Sequence, residues 1–141
     1  MLSVLLALHT ILNNAYTWYT FIIGFWALSM AIRNQPIAGG FWGALVIGGI
    51  LPVIVLILTL LLHIGGLPPS RGWVYYLYLI FFVIVLPGTF ALMRGRDDRA
   101  AITIWSAVIL FTALAALTRS DLLTNYAAQM AQIGQATQAA P

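Results

Sequence analysis

Residues 41–63 read FWGALVIGGILPVIVLILTLLLH and contain no Asp, Glu, Lys or Arg. A helix needs roughly 20 consecutive apolar residues to cross the hydrocarbon core of a bilayer, and this stretch is long enough. Three similar stretches accompany it, at 14–32, 73–93 and 100–118. All of them are much longer than the roughly ten-residue alternating strands of a membrane β-barrel. The sequence therefore predicts an all-α polytopic membrane protein, with four transmembrane helices in a bundle within residues 1–119.

The composition supports this class and excludes several others. Of the 141 residues, 62% are hydrophobic and only 6% are charged, whereas a soluble domain carries about 25% charged residues. A soluble domain and a disordered chain are therefore excluded. The six cationic residues, all arginines, separate apolar runs and form no single basic patch, so we expect no nucleic-acid partner. Cysteine is absent, which excludes disulfides, thiolate metal sites and cysteine nucleophiles.

The arginines also predict how the helices are oriented in the membrane. Four of them flank one side of the predicted spans and two flank the other: Arg33, Arg94, Arg96 and Arg99 against Arg71 and Arg119. Cytoplasmic loops carry the excess of basic residues in multi-pass proteins. We therefore expect the first and third loops in the cytoplasm and both termini outside.

The first apolar segment is longer than one span, because no charged residue precedes Arg33. Counting back roughly 20 residues from Arg33 places the span at 14–32. Residues 1–13 then have two possible arrangements. They extend the same helix, which would tilt or project from the bilayer, or they lie along the interface beyond a kink at Asn13 and Asn14.

The tail, residues 120–141, has a different pattern. Apolar side chains recur in it at helical spacing, with glutamines between them: Leu122, Leu123, Tyr126, Met130 and Ile133. This pattern predicts an amphipathic helix. Because the segment lacks the basic face of a helix that binds anionic lipid, we expect it to dock on another protein subunit.

No predicted span has an ionisable Asp, Glu, Lys or Arg in its interior. Such groups mark proton relays, ion pathways and catalytic sites inside membranes. Their absence argues against an enzyme, an ion-coupled transporter or a proton pump, and we expect neither a catalytic residue nor a metal-ion site. A small transporter or channel for an uncharged solute remains an alternative.

The two histidines are candidate cofactor ligands. His9 precedes the first predicted span and His63 ends the second, so both are expected near the outer interface. An imidazole can ligate the iron of a haem or the magnesium of a bacteriochlorophyll, which would make the chain a small cofactor carrier. Alternatively, each histidine is an interfacial residue that needs only a hydrogen-bond partner.

An aromatic face on the third span is a second candidate site. The spacing of Tyr75, Tyr78 and Phe82 places these rings on one side of a helix. That face could contact a quinone, a carotenoid or a pigment ring. Alternatively, it continues the interfacial aromatic belt against lipid or a neighbouring subunit.

Four short motifs carry a resemblance to a known group: residues 8–13 (LHTILN), 24–26 (GFW), 33–36 (RNQP) and 71–73 (RGW). With these motifs the chain resembles small four-span membrane proteins of filamentous phototrophic bacteria. The resemblance implies a bacterial plasma (inner) membrane and association with a photosynthetic or respiratory electron-transfer complex, and it transfers no catalytic residue. We therefore expect a non-catalytic accessory subunit of a larger membrane complex, in contact with the lipid bilayer and with other subunits.

Overall fold

The computed structural model describes residues 1–66, 72–119, 132 and 134–140. The described residues include four long helices, α1 (Leu2–Ile32), α2 (Gly39–Ile64), α3 (Trp73–Met93) and α4 (Arg99–Arg119), and residues 134–139 are also helical. All four are long and apolar enough to cross a membrane, and the described residues include no strand. The prediction of an all-α chain with four helices long and apolar enough to cross a membrane is therefore confirmed. Most of the predicted amphipathic tail lies outside the described residues.

The α1 helix is continuous from Leu2 to Ile32, through Asn13 and Asn14. Its 31 residues span about 46 Å at 1.5 Å per residue. That length exceeds the roughly 30 Å hydrocarbon core. Of the two arrangements open for residues 1–13, the structure has the continuous helix, which must tilt or extend beyond the apolar layer.

Each helix packs against two others, so that the contacts run in a cycle. The α1 helix packs most extensively on α4 and also on α2. The α3 helix packs on α2 and, less extensively, on α4. One end of the helices therefore carries the start of α1, the end of α2 and the start of α3; we call it the α2–α3 end. The opposite end carries the turns before α2 and α4, and we call it the α3–α4 end.

Small residues recur on the buried side of α1, and one of them, Gly24, lies close to α4. Thr20, Gly24, Ala27 and Ala31 recur at spacings of four, three and four, and all are buried. A Cβ built on Gly24 would lie 2.7 Å from Leu110 Cδ2 on α4. In a membrane, helices associate through such close van der Waals packing, because lipid tails are as apolar as the side chains themselves.

The turn between α3 and α4 carries an ion pair. Arg94 and Gly95 turn the chain with positive φ angles, and Arg96 then donates two hydrogen bonds to the Asp98 carboxylate, through Nε at 3.2 Å and Nη2 at 2.7 Å. Both side chains are exposed. An ion pair in water stabilises a fold only slightly, so its effect is local to this turn.

We expect the Asp98 carboxyl to titrate below its ordinary pKa, because the hydrogen bonds and the charge of Arg96 favour the carboxylate. A lowered pKa makes the pair stabilising at neutral pH, and this small contribution is lost as the pH falls through the lowered value. Carbon-13 NMR titration measures the pKa directly. Arg96→Gln should raise the pKa of Asp98 towards its usual range, whereas Arg33→Gln should leave it unchanged. An Asp98 pKa that Arg96→Gln does not move would contradict the pairing.

Candidate functional site

The fold brings both histidines to the α2–α3 end. His9 lies in the first third of α1, His63 lies in the last turn of α2, and Tyr75 and Tyr76 lie in the first turn of α3. Antiparallel neighbours place these three helix segments side by side, although His9 and Tyr75 are 66 positions apart in the sequence. The outcome is one cluster of imidazole and phenol side chains.

His9 connects three helices inside the protein. Its side chain is only 8% exposed, and its Nε2 lies 3.0 Å from Thr59 Oγ1 and 2.9 Å from Tyr75 Oη. The Thr59 hydroxyl also donates to the Val55 carbonyl at 2.8 Å. Nε2 either carries a proton and donates it or accepts from a hydroxyl, so the direction of its two hydrogen bonds depends on the ring tautomer. A metal at that nitrogen would have to displace both hydroxyl groups.

His63 has a different environment. It is exposed, its Nδ1 lies 2.6 Å from Tyr76 Oη, and the two rings stack with an interplanar angle of 28°. A histidine that ligates a metal commonly has its other ring nitrogen held by such a hydrogen bond, which orients the ring. Of the two predicted ligands, His63 therefore has the geometry that suits an axial ligand.

Ring contacts continue from one histidine to the other. The centroids are 6.2 Å apart for His9 and Tyr75, 6.4 Å for Tyr75 and Tyr76, and 5.9 Å for Tyr76 and His63. Tyr76 lies outside the predicted aromatic face of Tyr75, Tyr78 and Phe82. Its partnership with His63 depends on the rotation of α3 against α2, which residue spacing within one helix does not encode.

The three rings of the predicted aromatic face of α3 have different neighbours. Tyr75 contacts His9, and Phe82 is buried against Tyr16 of α1, with ring centroids 5.4 Å apart. Tyr78 borders a groove of about 550 Å³ between α3 and α4, which Phe111 also lines. Of the three rings, Tyr78 is therefore the one that lines this groove, which is large enough for a ligand.

A larger groove lies towards the α3–α4 end, between α2, α3 and α4. Its volume is about 810 Å³, and its walls are almost entirely apolar. Trp42 stands edge-on to both Phe90 and Trp105, with ring centroids 5.5 and 6.2 Å away. Asp97 and Gly95 of the α3–α4 turn also line the groove. The sequence patterns did not single out Trp42 or Trp105, because an indole within an apolar run has no distinguishing spacing.

Three buried polar atoms among the described residues have no hydrogen-bond partner: Asn14 Oδ1, Tyr16 Oη and Trp105 Nε1. The buried threonines differ, since Thr20, Thr59 and Thr112 each donate to the carbonyl four residues earlier in their own helix. An unpaired polar group in an apolar medium costs free energy. These three atoms are therefore positions where a ligand or a partner could supply a missing hydrogen bond.

We expect Tyr75→Phe to lower the free energy of unfolding by about 0.6–1.5 kcal/mol, the usual size of an interhelical hydrogen bond in a membrane protein. The variant removes only the hydroxyl that contacts His9. Tyr76→Phe is the matched control, because its hydroxyl contacts the exposed His63 and should matter less. Reversible unfolding in mixed micelles measures both. Equal losses in the two variants would contradict a stabilising role for the His9 network.

Compared with known proteins, the chain matches no family model, no curated protein and no solved structure. Its function is therefore inferred from its own residues and their geometry.

Proposed function

We propose that the protein is a non-catalytic accessory subunit of a larger integral membrane complex in a bacterial plasma membrane, of the photosynthetic or respiratory electron-transfer kind. The observation that carries this proposal is the open surface of α3. Only 17% of its candidate membrane-spanning segment is buried inside the protein, whereas the corresponding share for α4 is 44%. A helix packed so little by its own chain has most of its surface free for a neighbour.

The side chains on that surface suit a protein partner. Phe81, Ile84 and Phe90 are exposed along α3, and large aromatic residues are enriched at the buried centres of protein interfaces. Phe81 and Ile84 lie well inside the span, away from the interfacial level that aromatic residues prefer when they face lipid. The tail 120–141 is the proposed second docking segment, on its sequence pattern. The bioenergetic assignment rests on the resemblance of the four short motifs.

Site-specific photocrosslinking in native membranes tests the subunit role. A photoreactive residue at Ile84 on α3 should form an adduct with one defined protein. The same residue at Ile47 on α2, which is similarly exposed, should label lipid. Mild-detergent purification should also recover the chain in a larger particle. A chain that purifies alone and monodisperse, with only lipid adducts at both positions, would overturn the proposal.

The proposed orientation has a direct test, because the chain contains no cysteine. A single cysteine at Gly65, between α2 and α3, should react with a membrane-impermeant maleimide in intact spheroplasts. A cysteine at Gln35, between α1 and α2, should react only after permeabilisation. Both positions are exposed. The reverse labelling pattern would place both termini in the cytoplasm.

A cofactor carrier is the second candidate function, and the His63–Tyr76 hydrogen bond favours it. His63 would ligate the iron of a haem or the magnesium of a bacteriochlorophyll through Nε2, while Tyr76 orients the ring. We expect pigment absorption bands in protein purified from native membranes, with His63→Leu abolishing them and His9→Leu retaining them. An absence of bands, or bands that survive His63→Leu, would exclude this function.

A further inference from the structure

The groove towards the α3–α4 end has the size of a small-molecule site. Its volume of about 810 Å³ lies within the roughly 300–1,000 Å³ of typical ligand pockets. Gly49 lines it, and a Cβ on Gly49 would meet nothing within 4 Å. The chain therefore leaves this space unfilled, although the helices around it are otherwise packed.

Trp105, which lines this groove, has an unpaired hydrogen-bond donor. It is one of the lining residues, its side chain is 1% exposed, and its Nε1 has no partner among the described residues. The perpendicular ring of Trp42, 6.2 Å away, is at best a weak acceptor. A carbonyl oxygen on a bound molecule would satisfy the indole N–H and remove the cost of leaving it unpaired.

The depth of Trp105 restricts which molecule can supply that carbonyl. Trp105 follows Arg99, the first residue of α4, by six positions, or about 9 Å along the helix axis at 1.5 Å per residue. Phospholipid ester carbonyls lie at the edge of the hydrocarbon layer, beside the headgroups. An acceptor at the level of Trp105 fits an uncharged molecule that enters the hydrocarbon layer.

The walls favour a flat ring. Trp42, Phe90 and Trp105 present aromatic surfaces to the groove, and flat rings pack well against such surfaces. On α3, Pro87 has no N–H to donate to the carbonyl of Val83 four residues earlier, and both residues line the groove. The Val83 carbonyl therefore receives no hydrogen bond from residue 87, and its residue lines the same apolar groove as Trp105.

We propose that this groove binds a molecule of the quinone class, with the Trp105 indole N–H donating to a ring carbonyl and the Val83 carbonyl accepting from the hydroxyl of the reduced form. The site does not depend on the proposed subunit role. It is tested on the full chain alone in lipid nanodiscs.

Indole NMR signals report the contact directly. The chain has five tryptophans, so its indole N–H signals are few and can be assigned by Trp→Phe variants. Adding an alkyl benzoquinone should move the Trp105 signal downfield, because the N–H gains an acceptor. The matched alkylbenzene, which has no carbonyl, should leave it in place. Replacing ester lipids by ether lipids without quinone should also leave it unchanged.

Two variants test the site independently of each other. Trp105→Phe keeps an aromatic ring but removes the donor, and should weaken quinone binding about tenfold, as expected for one buried hydrogen bond. Gly49→Leu should fill the groove and weaken binding at least as much. Gly43→Leu is its control, since Gly43 is exposed on the same helix with open space around it, and binding should change by less than about twofold.

Three results would overturn the assignment. One is a Trp105 signal that does not respond to the quinone. Another is equal binding of the quinone and the alkylbenzene. The third is a Trp105 signal that moves when ester lipids are exchanged for ether lipids, because the acceptor would then be a lipid ester.

Discussion

Trp105→Ala is expected to lower the free energy of unfolding by about 3 kcal/mol, the low end of the range for removing a large aromatic side chain from a protein core. Trp105 is the largest of the fully buried side chains, and its core cluster includes Phe41 of α2, Leu86 of α3 and Ile109 of α4. Alanine would remove contacts with several helices at once. The low end applies because the unfolded helices stay in lipid, so the loss is one of packing and not of transfer to water.

Trp18→Ala is the matched control for this prediction. Trp18 is 61% exposed on α1 and should contribute less than about 1 kcal/mol, as surface side chains do. Reversible unfolding of both variants in mixed micelles gives the two free energies. Similar losses for Trp18→Ala and Trp105→Ala would mean that the packing around Trp105 is not what stabilises the helices.

Gly24→Leu is expected to destabilise the protein by about 2–3 kcal/mol, because the α1–α4 contact has no room for a side chain there. A Cβ on Gly24 would lie 2.7 Å from Leu110 Cδ2, 3.0 Å from Leu110 Cγ and 3.4 Å from Ile109 Cγ2. The end of the Leu110 side chain could yield to a methyl group, but a leucine at position 24 would also crowd Ile109 and push the helices apart.

A double-mutant cycle locates this effect. Leu110→Ala in the Gly24→Leu background should recover part of the stability, since it removes the side chain that the new leucine would meet. Gly43→Leu, on the open face of α2, should be neutral or slightly stabilising because leucine is the better helix former. If Gly24→Leu and Gly43→Leu unfold alike, the close approach of α1 and α4 is not present in the membrane.

The α3 helix contributes to both grooves and to the histidine cluster. In α3, the sequence places bulky aromatics at one end and Pro87 with Gly88 near the other, and α3 makes its smaller contact with α4. Spaces therefore remain on both halves of α3, one beside Tyr78 and one beside Pro87. The first turn of α3 provides Tyr75 and Tyr76 for hydrogen bonds with the histidines of α1 and α2.

The number of helices follows from local composition. The free energy of moving a helix into lipid is close to a sum over its own side chains, so an apolar run can be recognised without knowing its neighbours. For this reason α2, α3 and α4 begin and end within two residues of the apolar runs in the sequence. Only α1 differs, because counting a bilayer thickness back from Arg33 ignores that residues 2–13 also form a good helix.

The partners of each side chain depend instead on the order and rotation of the helices. A histidine at position 9 has the same local sequence whether it faces lipid, a haem or a tyrosine of α3. Its burial against Thr59 and Tyr75, the unpaired indole of Trp105, and the fit of Gly24 against Leu110 all arise from contacts between distant parts of the chain. Composition thus predicted a four-span membrane protein, while the histidine network and the groove required the tertiary structure, because helix–helix packing brings together residues whose local sequences carry no information about one another.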